Sequence, residues 1–296
     1  MTILHVRAGG GVGDFIYTYF KKPQWKLVEN VKKHDKDIKI IAIITCHSST
    51  ARELIELNPH IDAILTHDWK PPGHPDERMW KQMVLTEDIK KYASNNQIKP
   101  SLNKLYLSPT ETKILDEIRQ EPYVVIHPFA GLPHRGCRPH PKDGKYKCFP
   151  DFKYIEVIEE LQRLGTPVVI LGHSERGRMG IRCQDEVLDV SGPKIHNMIN
   201  LTSLRLGAAI VREAAGFIGA HSSMLSAAWT NSVPSVYFYP TRDEHGNQRS
   251  VMQHGGETGN WAYEEKWTHA YELPPHKFQE LETAEVVKKL QDLMGQ

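Results

Sequence analysis

Two groups of side chains in this 296-residue sequence have the types and spacing to do chemistry. The first is a carboxylate on a glycine loop. Gly9, Gly10, Gly11 and Gly13 follow the apolar run Ile3 to Val6 and lead directly into Asp14. A glycine loop between a strand and a helix suggests dinucleotide binding, but two features oppose it. A G-x-G-x-x-G begun at Gly9 needs glycine where Asp14 stands, and a carboxylate there repels a pyrophosphate. The next strand also ends Thr45-Cys46-His47, without the acid that holds a ribose. Asp14 can instead take the proton of an attacking hydroxyl as general base. It can equally do no more than favour the helix dipole, worth about 0.5 kcal/mol, and residue types alone leave both readings open.

The second group is cationic and lies in the other half. The loop from His127 to Pro150 carries His134, Arg135, Arg138, His140, Lys142, Lys145 and Lys147, the densest positive charge in the chain. It follows a strand, where a parallel sheet would hold a diphosphate; a solvated loop is the alternative. Further on, Phe217 to Ala228 reads as strand, tight turn and helix, with Ser222 and Ser223 at the helix start. Free N–H groups and the positive dipole end make an anion cradle there, although a serine is also an ordinary cap. His134, Cys137, His140 and Cys148 match no standard zinc spacing. Asp35-Lys36-Asp37, the one D-x-D, reads as a solvated turn. The loop Thr241 to Trp267, with Arg242, His254 and Trp261, either closes over a ligand or is a solvated excursion.

These groups need elements to position them. Strands are expected at Ile3 to Val6, Ile38 to Ile44 and Ile61 to Leu65, with helices at Phe15 to Phe20 and Thr50 to Leu57. Ser108-Pro109-Thr110-Glu111 is a capping box that starts a helix running to about Gln120. Glu121-Pro122 ends it and sets the boundary, giving lobes 1–121 and 122–275. The second lobe repeats the alternation. Its strands are Tyr123 to Ile126, Val168 to Leu171, Leu188 to Val190, Phe217 to Gly219 and Val236 to Tyr239, the last closing the sheet. Its helices begin at Asp151, Ser203 and Ser222. Residues 240–270 read as a long loop, and 276–296 hold a terminal helix expected to pack back on the first lobe. Strands alternating with helices in both halves predict an α/β chain of two doubly wound, Rossmann-like parallel sheets. Ligands in such folds sit beyond the carboxyl ends of the strands.

Composition narrows the function classes. Lys plus Arg (37) balances Asp plus Glu (36), so no global charge points to nucleic acid. Four scattered cysteines form no disulfide framework. The start lacks the n- and h-regions of a signal peptide, and no stretch nears the ~20 apolar residues of a membrane span. A cytoplasmic protein is expected, with peripheral contact at the inner membrane face left open.

Together the motifs resemble those of family 9 glycosyltransferases, the ADP-heptose:lipopolysaccharide heptosyltransferases. ILHVRAGGGVGD resembles the opening strand and G-x-G-D turn, YKCFPDF the K-x-W-P element, and VVILGHSER the turn that reaches the donor's nucleoside. INLTSLRLGAAIVREAAGFIGAHSSMLSAAWTNSVPSVYFYPTR resembles the stretch with the D-[ST]-G-x-x-H-x-A-A turn. The resemblance implies a GT-B fold of two lobes facing a central cleft, with the acceptor on the first lobe and the nucleotide-sugar on the second. It implies Asp14 as general base on the acceptor-side loop with Gly11 and Gly13. Lys147, His221, Ser222, Ser223 and Ser226 would bind the donor phosphates, and Glu175 and Thr202 the nucleoside. The implied reaction is transfer of a heptose or related sugar, ADP-linked in the family's manner, to a glycan or glycolipid hydroxyl in lipopolysaccharide biosynthesis. It needs no metal and no cofactor, since the nucleotide-sugar is a substrate. The chain departs from the pattern at Phe149 (tryptophan), His221 (aspartate), Ser223 (glycine), Ser226 (histidine) and Tyr239 (glycine). These changes leave room for another nucleotide-sugar transferase or epimerase, or for a non-catalytic nucleotide- or glycan-binding protein.

Overall fold

Near-continuous β-branched runs suit strands buried on both faces, and the run Ile38 to Ile44 becomes an inner strand of a parallel sheet. The computed structural model describes residues 2–10, 12–46, 49–66, 87–128, 151–172, 190–220, 222–240, 266–273 and 275–295. It divides into two compact units, Met1–Pro109 with Ser203–Arg205, and Thr110–Thr202 with Leu206–Gln296.

In the first unit the chain runs β1 (Ile3–Gly10), α1 (Val12–Lys21), α2 (Pro23–Lys26), α3 (Val28–His34) and β2 (Lys39–Cys46). It continues through a 3-10 turn (Ser49–Leu54), β3 (Ala63–Thr66), β4 (Glu87–Asp88) and α4 (Ile89–Asn95). The sheet order is β3-β2-β1-β4, and every pairing is parallel. Leu4, Val6, Ile40, Ala42 and Ile44 are buried along its central strands. The helical layer contributes a cluster of aromatic rings. Phe15 meets Trp25 edge-on at 5.4 Å, and Tyr19 lies 5.5 Å from Trp25; such pairs add about 0.5–1.5 kcal/mol beyond their buried area.

At the amino end of the same sheet the Asp62 carboxylate organises the start of β2. It accepts the Ile40 backbone N–H at 2.8 Å and the Lys39 ammonium at 3.1 Å, and pairs with Lys32 at 2.8 Å. Desolvation pushes this carboxyl up, but the bonds from Lys32, Ile40 and Lys39 outweigh it and hold the group below its ordinary range. The D-x-D segment is the turn the sequence suggests, with Asp35 accepting the Asp37 N–H at 2.9 Å. The expected helix over Thr50 to Leu57 is instead the 3-10 turn, closed by Asn58, whose side chain accepts from the His60 N–H at 3.0 Å.

The second unit contains α5 (Pro109–Ile118, from Thr110), β5 (Val124–His127), α6 (Asp151–Arg163), β6 (Val168–Ile170), β7 (Ile195–Asn197), α7 (Leu204–Glu213, from Leu206) and β8 (Gly216–Ala220). After these come α8 (Ser223–Thr230), β9 (Ser235–Pro240), β10 (Thr268–Leu273), a 3-10 turn (Pro275–Glu280) and α9 (Thr283–Met294). The order β10-β9-β8-β5-β6-β7 is parallel throughout. The chain starts in the centre at β5, builds outward through β6 and β7, then crosses over to build β8, β9 and β10 on the other side. This is the doubly wound order that reverses beside its first strand.

Both edges of this sheet differ from the sequence expectation. β9 does not close the sheet, because β10 pairs outside it, from Thr268↔Ser235 to Leu273↔Pro240. The strand beside β6 is Ile195–Asn197; residues 188 and 189 lie outside the described residues and Val190 is irregular. On the terminal helix, Val286, Val287 and Leu290 join Tyr154, Val157, Ile158, Ile218 and Phe238 in the core of the second unit. Each fully buried aliphatic side chain there contributes roughly 1.5–3 kcal/mol. Gly216 makes room for it, since a Cβ at that position would lie 2.9 Å from Leu290. Helix α5 groups with the second unit from Thr110 onward. Arg119 anchors that helix to α7 through Glu213 at 3.0 Å.

Among the described residues no helix is long and apolar enough to cross a membrane.

Candidate functional site

Where strand order reverses, two neighbouring strands lead their connections in opposite directions, and a crevice opens at their carboxyl ends. In the second sheet those strands are β5 and β8, paired from Val124↔Gly216 to His127↔Gly219. A glycine is required at the last pair. A Cβ on Gly219 would lie 2.5 Å from the His127 backbone oxygen and 2.9 Å from the Phe217 ring. The missing side chain lets the two strand ends approach closely.

That approach brings together residues far apart in sequence. His127 ends β5 and is only 8% exposed. Its ring stacks on Phe217, with centroids 6.5 Å apart and planes at 22°. Ser222 occupies the N-cap of α8, and its Oγ hydrogen-bonds with His127 Nδ1 at 3.1 Å. Ser222 has extended backbone (φ −138°, ψ 178°) and makes no side-chain capping bond to its helix. Ser223 is the first helical residue and is half-buried. Ser226 lies one turn on, buried, and its N–H donates to the Ser222 backbone oxygen at 3.4 Å. Within the same helix, Thr230 Oγ1 donates back to the Ser226 backbone oxygen at 2.7 Å.

Thr202 lies close to the same helix. A Cβ built on Gly207 of α7 would stand 3.6 Å from Met224 Sδ and 3.7 Å from Thr202 Oγ1, so Thr202 and the first turn of α8 border one small space. The strand ends, a histidine–serine pair and an uncapped helix start together present hydrogen-bond donors and a positive dipole end. That arrangement suits an oxyanion.

The first sheet has its own reversal, with β1 between β2 and β4. β1 runs on through Gly9 and Gly10, paired to Thr45 and Cys46 of β2. Gly13 and Asp14 lie in the first turn of α1, and Asp14 is exposed. The carboxylate therefore stands beyond the carboxyl end of the central strand of its unit. His5 of β1 and Asp88 of β4 lie 3.9 Å apart.

Gly11, Lys147, Glu175 and His221 lie outside the described residues, as do the four residues weighed for a zinc site. Among the described residues no group of three or more His, Cys, Asp or Glu side chains is placed to hold a metal. His127 is not among the site residues expected from the sequence, where it stands only at the start of a loop. Its signal was faint: one histidine closing an otherwise apolar strand, just before Pro128.

No protein-family model matches the sequence, and neither does any curated protein sequence. Solved structures do match. The chain is similar to the ADP-heptose lipopolysaccharide heptosyltransferase II of E. coli, with 12% identity and a TM-score of 0.57, over 99% of this chain and 98% of that one. It is also similar to a family 9 glycosyltransferase from Veillonella parvula DSM 2008, with 14% identity and a TM-score of 0.59, over 99% of this chain and 97% of that one. What these similarities establish is the fold: the chain is a two-unit α/β protein of the GT-B type.

Proposed function

We propose that this protein is a glycosyltransferase that moves a sugar from a nucleotide-diphosphate sugar to a hydroxyl of a glycan or glycolipid. The observation that carries the reading is the strand-end site of the second sheet, where the start of α8, Ser222 and His127 meet. A fold hosts many chemistries, so function has to be argued from the site. This one offers backbone N–H groups and a hydroxyl suited to a diphosphate. Similarity of fold to a heptosyltransferase and a family 9 glycosyltransferase supports the same class, and the motif resemblance points to an ADP-linked heptose or a related sugar.

In this reading the acceptor hydroxyl gives its proton to the Asp14 carboxylate as its oxygen bonds to the anomeric carbon. The bond from that carbon to the diphosphate breaks, and the diphosphate leaves with the electron pair. Lys147, Ser222, Ser223 and the first-turn amides of α8 stabilise the charge that develops on it. His221 and Ser226 complete the phosphate side, while Glu175 and Thr202 contact the nucleoside. These fixed donors take the place of a divalent metal, so added chelator leaves turnover unchanged.

The test is a calorimetric and thermal-shift screen with ADP, UDP, GDP and their sugar conjugates, followed by transfer assays. The expected result is binding of one nucleoside diphosphate and turnover of its sugar conjugate. Asp14→Asn should abolish transfer while leaving nucleotide affinity within about twofold. Wild-type turnover in Asp14→Asn would refute the base assignment, and binding without turnover by the wild type would favour a non-catalytic binding protein.

A further inference from the structure

A serine at an N-cap ordinarily turns its hydroxyl back to accept a hydrogen bond from an N–H of the first turn. Ser222 has the backbone for that role, yet makes no such bond. Its hydroxyl is directed to His127 instead. His127 is well placed to hold it, because the imidazole is buried, stacked on Phe217 and carried on a strand end that Gly219 allows to sit close to β8. The serine hydroxyl rotates freely and the imidazole does not, so the histidine sets where the hydroxyl goes.

We propose that His127 is a positioning residue: it draws the Ser222 hydroxyl off the end of α8 and so keeps the first-turn amides of that helix open. The assignment deepens the donor-site reading above and rests on it for its purpose, since an oxyanion there needs those amides. Either tautomer gives this outcome. With Nδ1 protonated, the imidazole donates to Ser222 Oγ and the hydroxyl proton is left to donate to a phosphate oxygen. With Nδ1 bare, the hydroxyl donates to the ring. In both cases the Met224 and Leu225 N–H groups, two and three residues beyond the cap, lose their usual intramolecular acceptor.

Amide hydrogen exchange of the unliganded full-length protein tests this without any ligand. In His127→Leu, Ser222 is released to cap the helix, and exchange at Met224 and Leu225 should slow by about fivefold. His127→Gln should do the same, because its side-chain amide reaches the Nε2 position rather than Nδ1; it serves if the leucine variant fails to fold. His127→Asn, whose amide can stand where Nδ1 does, should exchange like the wild type. In a Ser222→Ala background neither His127→Leu nor His127→Gln should slow anything. Calorimetry with inorganic pyrophosphate on the same variants should show wild-type affinity for His127→Asn and about tenfold weaker binding for His127→Leu and His127→Gln.

Unchanged exchange in His127→Leu and His127→Gln, or slowing that persists without Ser222, would overturn the proposal. Slowed exchange that depends on Ser222, in a protein that binds neither pyrophosphate nor any nucleoside diphosphate, would uphold the positioning role and remove the donor-site reading.

Discussion

Replacing Gly219 with alanine tests the packing on which the strand-end site depends. Gly219 is not among the described glycines with positive φ, which are Gly165 and Gly295. Its backbone therefore accepts an L side chain, and on that ground alone Gly→Ala would stabilise the protein by about 0.4–1 kcal/mol through the unfolded state. Space reverses the sign. The new Cβ would lie 2.5 Å from the His127 carbonyl oxygen and 2.9 Å from the Phe217 ring. An unstrained contact is roughly half an ångström or more longer. The nearest obstacle is backbone rather than the end of a flexible side chain, so β5 and β8 must part at their carboxyl ends. Overpacking of this kind costs about 1–3 kcal/mol, and a weakened ladder hydrogen bond adds about 1 kcal/mol. The expected destabilisation is roughly 2–4 kcal/mol. Urea unfolding should show it as a lower midpoint with an unchanged slope. Nucleoside diphosphate affinity should fall with it, because the movement separates His127 from Ser222. A Gly219→Ala variant as stable as the wild type, or more stable, would refute the close-approach argument.

Three other perturbations probe separate parts of the molecule. Lys147→Ala should weaken nucleoside diphosphate binding by the roughly 1.5–3 kcal/mol of a charge-assisted bond; unchanged calorimetric affinity would count against its phosphate role. Leu290→Ala, in the core of the second unit at 1% exposure, should cost about 2–5 kcal/mol of stability, measured by chemical unfolding. A near-neutral effect would mean that α9 is not integral to that core. Asp62→Asn should cost roughly 1–3 kcal/mol at neutral pH. The folded-state pKa of Asp62 lies below its ordinary 3.8, so the charged form stabilises the fold above that value and the benefit is lost as pH falls through the folded pKa. Wild type and variant should therefore converge in acid, and a stability gap that is constant with pH would show that Asp62 acts by packing alone.

What the sequence revealed depended on how much of the information was local. Apart from Lys39 the run Ile38 to Ile44 is apolar on both faces, the pattern of an inner strand; it became β2, shifted by one or two residues. The capping box at Ser108 likewise announced a helix. By contrast, β10 reads Thr-His-Ala-Tyr-Glu-Leu, a half-exposed edge strand with one neighbour in its sheet. A strand paired on one side needs no apolar run, so nothing set it apart from a loop. Helix α9 was visible from its period, but an amphipathic face does not say which core it enters. The site divided in the same way. Ser222 and Ser223 stood out because a strand–turn–helix pattern is local. His127 did not, because its partner Ser222 is 95 residues away and the link passes through a strand pairing that no spacing encodes.

The place of α9 has a consequence for how the protein is made. Val286, Val287 and Leu290 fill a core whose other members begin at Val124, so the second unit holds an incomplete interior for most of its own synthesis. Of the first unit, only Ser203–Arg205 follows Pro109, and the strands of its sheet are all translated before the second unit begins. Vectorial folding favours the amino-terminal sheet, while the carboxy-terminal one stays exposed to chaperones and proteases until residues 283–294 have left the ribosome. Slowing translation should therefore protect the first unit in nascent chains without rescuing the second.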